Sequence, residues 1–452
     1  MSSVDIIILA AGEGTRMKSA TPKVLHPVGG LPMLGHVLNS CRAFGASRLA
    51  VVIGPDAPRV TAFLEQQPSQ VDTFVQTERL GTGHAVRAAD KFYAGVNHCN
   101  IVLFGDTPLI RPQTLDRIKT LLDADADLVI LGFEPENPTG YGRLLTDQGE
   151  LIAIREEKDA SETERKISLC NAGAMGFAPG VLDQLLASLT NQNAQGEYYL
   201  TDCVELARAQ GLSVQIVTGD VADAAGVNSR AQLADVEAMF QDRMRRRAMA
   251  NGVTLTAPDT VFFAHDTEIE ADVTLEPNVV FGPKVQIKSG ATIKTFSHIE
   301  GAVIGADAIV GPFARLRPGT ELEAGSKVGN FVEVKAATVG KGSKINHLSY
   351  IGDARIGAGV NIGAGAVTCN YDGFLKHTTT LGDGSFIGSG SLLVAPVEVG
   401  ANAYVATGSV ITQDVPADAL AFGRARQTNK EGRGARLKEE LRAAKAEAPK
   451  RK

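Results

Sequence analysis

A chain of 452 residues is long enough for two or three domains around a large buried core. Its 51 acidic and 45 basic side chains leave a net charge of −6, which argues against a nucleic acid as the main partner, although a pocket for a small anion needs few cations. Five cysteines lie scattered without a C-x-x-C pair, as in a reducing cytoplasm, and no run reaches the roughly 18 apolar residues that span a bilayer, so no membrane insertion is expected.

The chain opens on MSSVDIIILAAGEGTR. Asp5 and the lack of a basic leader make the apolar run at 4–8 a buried strand rather than a signal peptide. That strand empties into LAAGEGTRM at 9–17, with Pro22-Lys23 behind it. A glycine turn after a strand either lets the backbone reverse or presents N–H groups to a polyphosphate, and the nearby cations Arg16 and Lys23 favour the second use. Further strand-like runs follow at 49–53, 72–76, 100–104 and 127–133, separated by helical stretches at 33–44, 83–92 and 113–123. This alternation predicts a parallel sheet with helices on both faces, whose ligands gather at the carboxyl ends of the strands.

Two loops stand at such ends. In QTERLGTGHA, 76–85, Gly81-Thr82-Gly83 lies where a loop enters a helix, either an ordinary first turn or a place where backbone approaches a planar base. In FGDTPL, 104–109, Asp106 is either a Mg²⁺ ligand, since magnesium takes one or two carboxylates plus substrate phosphates, or a helix N-cap. The polar loops PTGYGR (138–143), REEKDA (155–160), CNAG (170–173), NAQGEYYLTD (193–202) and GVNSR (226–230) come after them. Over 229–251, Leu233, Val236, Phe240 and Met244 mark one face of an amphipathic helix, read as an interdomain connector ending near Asn251-Gly252. Its arginines at 243 and 245–247 read as a solvated face.

From about residue 260 the period changes to six. Aliphatic or small residues recur at Val273, Val279, Val285 and Ala291, then from Ile304 to Val334, with one-residue slips before Val339 and Ile356, and again from Leu381 to Ile411. A hexapeptide period predicts a parallel β-helix in which each short strand points one apolar residue inward and glycines make corners. The 19-residue step from Ile362 to Leu381 breaks the register, and CNYDGFLKHT at 369–378 is predicted to leave the solenoid as a functional loop. RLRPG (315–319), NFVEVKAA (330–337) and INHLSYIGDA (345–354) would stack on neighbouring coils. Beyond Phe422 the tail is basic, and its end, AAKAEAPKRK, reads as disordered.

The first motif resembles the signature of sugar-1-phosphate nucleotidyltransferases. All the motifs in this order resemble the family of bifunctional bacterial N-acetylglucosamine-1-phosphate uridyltransferases and glucosamine-1-phosphate N-acetyltransferases. The resemblance implies an α/β, Rossmann-like nucleotidyltransferase domain over 1–228, a linker helix at 229–251, and a left-handed parallel β-helix acetyltransferase domain with its basic tail over 252–452. It implies Mg²⁺ as cofactor, UTP and acetyl-CoA as co-substrates, a homotrimer and a product that feeds peptidoglycan and lipopolysaccharide synthesis. In the first domain Leu9, Ala10 and Gly12 would border the nucleotide, and Arg16 and Lys23 would contact the reacting phosphates. Gln76, Gly81 and Thr82 would contact uracil, Asp106 and Asn228 would hold Mg²⁺, and Gly140, Glu156 and Asn171 would hold the N-acetylglucosamine moiety. Ala172 departs from the hydroxyl residue more usual in the family, which puts one sugar contact in doubt.

In the second domain the resemblance gives Arg317, Lys335, Tyr350, Asn361 and Lys376 to glucosamine-1-phosphate, where three cations can neutralise a phosphate dianion. His347 would be the general base, because the sugar amine must lose a proton to attack a thioester and imidazole titrates near neutral pH. Glu333 would orient it, Asn370 would stabilise the oxyanion and Tyr371 would position the sugar. Ser389, Thr407 and Arg424 would meet acetyl-CoA; Thr407 departs from an alanine, a change that a backbone contact survives. The rivals are a single-activity sugar nucleotidyltransferase whose solenoid only oligomerises, which needs neither His347 nor the CNYDG loop, and a non-catalytic nucleotide-binding assembly protein.

Overall fold

The structure is a computed structural model and describes residues 3–448. It divides into two compact units, one running to Ala250 with Phe262–Thr267 added, the other Asn251–Val261 with Glu268 onward.

In the first unit Val4–Ala10 is buried at every position, because it lies at the centre of a sheet covered on both faces. Ile6 and Ile8 pack with Leu34 and Leu38 of the helix Met33–Phe44 on one face, while Ile7 and Leu9 pack with Val86 and Phe92 on the other. The main path of the sheet runs Val214–Thr218, Leu128–Phe133, Cys170–Phe177, Cys99–Phe104, Val4–Ala10, Arg48–Ile53, Asp72–Val75. The expected parallel sheet is therefore mixed: Cys170–Phe177 lies antiparallel between two strands that otherwise run with the rest, and pairs also with the hairpin Arg143–Asp147 and Glu150–Arg155. The expected helix at 83–92 is two shorter ones, Thr82–Arg87 and Asp90–Tyr93.

The helix Arg230–Ala250 belongs to the first unit, where Val236 and Phe240 close a small core with Met17, Val28 and Met33. Gly29, at φ +52°, is required there, since a Cβ would stand 2.2 Å from the Phe240 ring. Its arginines are not uniformly solvated. Arg243 donates to Leu109 O at 2.9 Å and Arg245 is buried over the Phe262 ring, while Arg246 stays exposed against Asp242.

The second unit is a parallel β-helix. Thr274 pairs with Thr292, Thr292 with Ile309 and Ile309 with Lys327, partners 17 or 18 residues apart, so three hexapeptides make one coil. Every apolar position named in the repeat is buried. Each short strand, however, turns two residues inward, two positions apart, because strand side chains alternate. Val273 goes in with Leu275, Val285 with Ile287, Ala302 with Ile304, and Ala308 with Val310. The apolar count thus jumped from the first inward place to the second between Ala291 and Ile304. At the first place small residues suffice, and Ser326, Ser343, Ser385, Ser391 and Ser409 fill it, invisible to a count of apolar residues. Ser391 and Ser409 satisfy their hydroxyls on Gly388 O and Ala406 O, both at 2.6 Å.

Asn361 pairs with Phe386, 25 residues on, and the surplus forms the loop between Val367–Cys369 and Thr379–Leu381. The loop is ordered from within. Tyr371 bridges Lys376, and Asp372 accepts the N–H groups of Phe374 and Leu375 at 2.8 and 2.7 Å and meets His377 Nε2 at 2.7 Å. Hydrogen bonding from His377, then from those amides, holds the Asp372 carboxyl well below the usual range. The tail differs from its expectation: Arg433–Glu447 is an exposed helix that includes the first half of the segment read as disordered, whose last residues, 449–452, lie outside the described ones.

Candidate functional site

The first unit holds a cavity of about 440 Å³ at the carboxyl ends of its central strands. Leu9, Ala10, Gly12, Lys23, Gln76, Gly81, Thr82, Asp106, Gly140, Glu156, Asn171 and Asn228 all line it. Arg16 does not: it is exposed on the single turn Thr15–Met17. Gly14, at φ +64°, is needed because a Cβ there would stand 2.6 Å from Lys23 Cβ.

Asp106 and Asn228 are brought together by the backbone, since Val227 N–H donates to Asp106 O at 3.0 Å. Asn228 is fixed from behind by the start of the helix Arg230–Ala250, where Gln232 accepts its N–H at 2.8 Å. The two side chains converge on one cation: Lys23 Nζ ion-pairs with Asp106 Oδ2 and donates to Asn228 Oδ1 at 3.0 Å. Two oxygen donors on one positive centre suit a hard divalent ion that takes its other ligands from phosphate and water. Among the described residues there is no group of three or more His, Cys, Asp or Glu side chains fit to hold a metal alone.

Gln76, 4 % exposed, donates Nε2 to Gly81 O at 3.1 Å and meets His84 Nδ1 at 3.2 Å, which leaves its carbonyl oxygen for a ligand. Gly81 has φ +101°, and a Cβ on it would lie 2.6 Å from Tyr198 O. Thr82 Oγ1 accepts Leu200 N–H at 3.0 Å, so the YYL segment pins the loop that carries Gly81. Glu156 accepts the Thr201 hydroxyl at 3.1 Å; burial pushes its carboxyl up and the Thr201 bond opposes that. Asn171 Oδ1 accepts Gly173 N–H at 3.0 Å. Sequence reasoning missed Arg79, which lines the cavity and latches the glycine turn through Ala11 O at 3.2 Å and an ion pair with Glu13. It also missed Thr201. Both stand inside motifs already singled out, QTERLG and YYLTD.

In the second unit His347 ends the strand Lys344–His347, exposed, with Nδ1 2.6 Å from Asn330 Oδ1 one coil earlier. The expected orienting residue, Glu333, lies past a corner and pairs with Arg317 at 2.8 Å instead. Asn330 is the missed partner, and its signal was the 17-residue coil step. Arg317, Lys335 and Lys376 form one cationic cluster, in which Lys376 first and then Arg317 hold the Lys335 ammonium below its ordinary pKa. Tyr350 and Asn370 meet over Gly352, where a Cβ would lie 2.6 Å from the Tyr350 hydroxyl and 2.7 Å from Asn370 Nδ2. Asn370 is also bonded to Asp353, and the exposed Tyr371 donates to Gly373 O at 2.5 Å. Asn361 lies on the other sheet, beside Lys344.

One corner carries both kinds of residue expected for acetyl transfer. Backbone bonds from Leu348 N to Asn330 O, Gly365 N to His347 O, Gly390 N to Ala364 O and Gly408 N to Ser389 O stack Asn330, His347, Ala364, Ser389 and Thr407 in a column. The neighbouring column has positive φ throughout and changes character along its length. Exposed Phe296, Phe313, Phe331 and Leu348 give way to Gly365, Gly390 and Gly408, so an apolar ridge becomes a trough. The phenylalanines stack with ring centroids 5.0 and 5.2 Å apart, and Arg424 Cδ closes the far end, 3.8 Å from a Cβ placed on Gly408.

Residues 6–167 match the family model of MobA-like NTP transferase domains, and 378–413 that of the bacterial transferase hexapeptide. The chain is 54% identical over 439 residues to the bifunctional protein GlmU of Agrobacterium fabrum, covering 97% of each. It is 55% identical to that of Azorhizobium caulinodans, over 96% of this chain and 97% of the relative, and 56% identical to that of a Chelativorans species, over 97% of each.

Proposed function

The chain belongs to the family of the bifunctional protein GlmU, and from that premise we infer how its two units divide the two activities, uridyl transfer and acetyl transfer in UDP-N-acetylglucosamine synthesis. The observation that carries the assignment is the pairing of a cavity open to solvent, where Asp106 and Asn228 converge on a cation, with a glycine trough that begins beside His347.

In the cavity, the sugar phosphate attacks the α-phosphorus of UTP as the bond to the bridging oxygen breaks and pyrophosphate leaves. The nucleophile is already an anion, so no strong general base is required. A magnesium ion held by Asp106 and Asn228 would supply charge neutralisation at the phosphates. Lys23 and the amides of the glycine turn stabilise the phosphate oxygens, while Arg16, on the exposed turn that follows the glycines, is assigned to the leaving group. The free carbonyl oxygen of Gln76 accepts an imide N–H, which uracil offers and cytosine does not. Glu156 and Asn171 hold the sugar. Ala172 gives it no hydroxyl.

In the second unit acetyl-CoA lies along the trough, with Ser389, Thr407 and Arg424 along its course. The cluster of Arg317, Lys335 and Lys376 takes the sugar phosphate, and Tyr350 and Asn361 contact the sugar. Donation from His347 Nδ1–H to Asn330 leaves Nε2 as the base that removes the amine proton. Asn370 stabilises the oxyanion and Tyr371 steadies the acceptor as the thioester C–S bond breaks. Supporting a homotrimer is the exposed ridge Phe296, Phe313, Phe331 and Leu348, bordering His347. We place the enzyme in the cytoplasm; no helix among the described residues is long and apolar enough to cross a membrane.

The deciding experiment supplies glucosamine-1-phosphate, acetyl-CoA, UTP and Mg²⁺. Wild type forms UDP-N-acetylglucosamine, Asp106→Ala stops at N-acetylglucosamine-1-phosphate, and His347→Ala forms the nucleotide sugar only when given the acetylated sugar phosphate. Wild-type behaviour in either variant removes that residue from its site.

A further inference from the structure

We propose that Lys23 is the resident counter-ion of the Asp106–Asn228 cradle, opposing divalent cation entry until a nucleoside triphosphate draws its ammonium away. The inference rests on the reading that these two residues hold the metal. Lys23 Nζ occupies the point on which both oxygens converge, ion-paired to Asp106 and 3.0 Å from Asn228 Oδ1. The Lys23 and Asp106 side chains are only 12% and 15% exposed, so solvent and salt screen the arrangement weakly. A divalent ion needs the same two oxygens and is repelled by an ammonium a few ångströms away.

The departure of Lys23 has a ready destination. Its Nζ is 4.0 Å from where a Cβ of Gly12 would be, and its stem passes so close to Gly14 that no side chain fits there. The ammonium therefore lies alongside the glycine turn that cradles phosphates, and a short swing carries it from carboxylate to phosphate. A triphosphate supplies several negative charges to hold it there, and the cradle it leaves becomes attractive to a cation. By linkage, nucleotide raises cation affinity and cation raises nucleotide affinity by the same factor. A lysine that only binds phosphate predicts no effect on cation affinity when nucleotide is absent.

The test measures Mn²⁺ binding to the full chain by electron paramagnetic resonance, with and without UTP, no sugar phosphate present, corrected for the Mn²⁺–UTP complex. Wild type binds weakly alone and more tightly with UTP, through a site that Asp106→Asn removes. Lys23→Met binds Mn²⁺ without UTP about 5–150-fold more tightly than wild type, and UTP then adds little. Lys23→Arg keeps the wild-type pattern, and Lys23→Gln repeats the test if the methionine variant does not fold. Unchanged or weaker affinity in Lys23→Met, with an Asp106-dependent site intact, overturns the proposal alone. No Asp106-dependent binding even with UTP overturns the metal-site reading and the proposal with it.

Discussion

Asp106 and Asn228 meet Lys23 from positions 83 and 205 residues away, each at the end of a different element, whereas Asn330, His347, Ala364, Ser389 and Thr407 meet because they occupy one corner of successive coils. The cavity is assembled once, by the whole topology of the α/β unit. The trough is assembled by repetition, and only the side chains placed on the repeat distinguish ridge from trough. A site of the first kind fails abruptly when its backbone is displaced, while one of the second kind can be altered coil by coil.

The sharpest break in that comparison is Gly81→Ala. The added Cβ, at φ +101° and 2.6 Å from Tyr198 O, displaces the loop to which we assign the uracil contacts. Uridyl transfer should fall by about 10²-fold or more, with acetylation unchanged in the same preparation. Next is Gly390→Leu. That position has φ +68° with nothing within 4 Å of a Cβ, and the ridge already accepts phenylalanine at φ 55–58° in the equivalent places. The coil should fold, and the filled trough should raise KM for acetyl-CoA by roughly tenfold while uridyl transfer is untouched. An unchanged KM would place acetyl-CoA elsewhere. Asn330→Ala leaves His347 in place without its partner, and should lower kcat for acetylation by about tenfold with little change in KM. Glu333→Gln disturbs Arg317 instead, and should move KM for the sugar phosphate.

The smallest effect tests the wall behind Glu156, which shares a pocket with Asp202. Burial raises the Asp202 carboxyl to about 6, helped by Glu205 and opposed by Arg155. An acid whose folded pKa exceeds its unfolded one carries no penalty below the unfolded value and costs stability as pH rises through the folded one. Asp202→Asn should therefore stabilise the protein at pH 7, by about 1 kcal/mol after discounting for solvent screening, and lose that advantage below pH 4. Thermal melts at both pH values check it.

Much of this was legible in the sequence where a pattern is carried by many residues. The helix Met33–Phe44 and the strands around Val4–Ala10, Arg48–Ile53 and Cys99–Phe104 follow from apolar periodicity, and the β-helix from its period of six. Cys170–Phe177 escaped because CNAGAMGF is poor in β-branched residues; its strand character comes from burial between two neighbours rather than from propensity. The convergence of Asp106 with Asn228 depends on the whole first unit and was reachable only through family resemblance. Glu333 came from the family resemblance, and Asn330 was missed because the period was followed through residues pointing inward, whereas the partners of His347 stack along the outer surface, one coil apart.

The loop at 370–378 leaves between strands that continue to stack on the coils before and after it, Val367–Cys369 on Leu392–Val394 and Thr379–Leu381 on Val397–Val399. Because its hydrogen bonds close largely upon themselves, its length and composition are only loosely tied to the integrity of the β-helix. A solenoid can in this way gain, lose or exchange a substrate-facing appendage by insertion at a single bend, and grafts at that bend offer a route to new acyl acceptors on an unchanged scaffold.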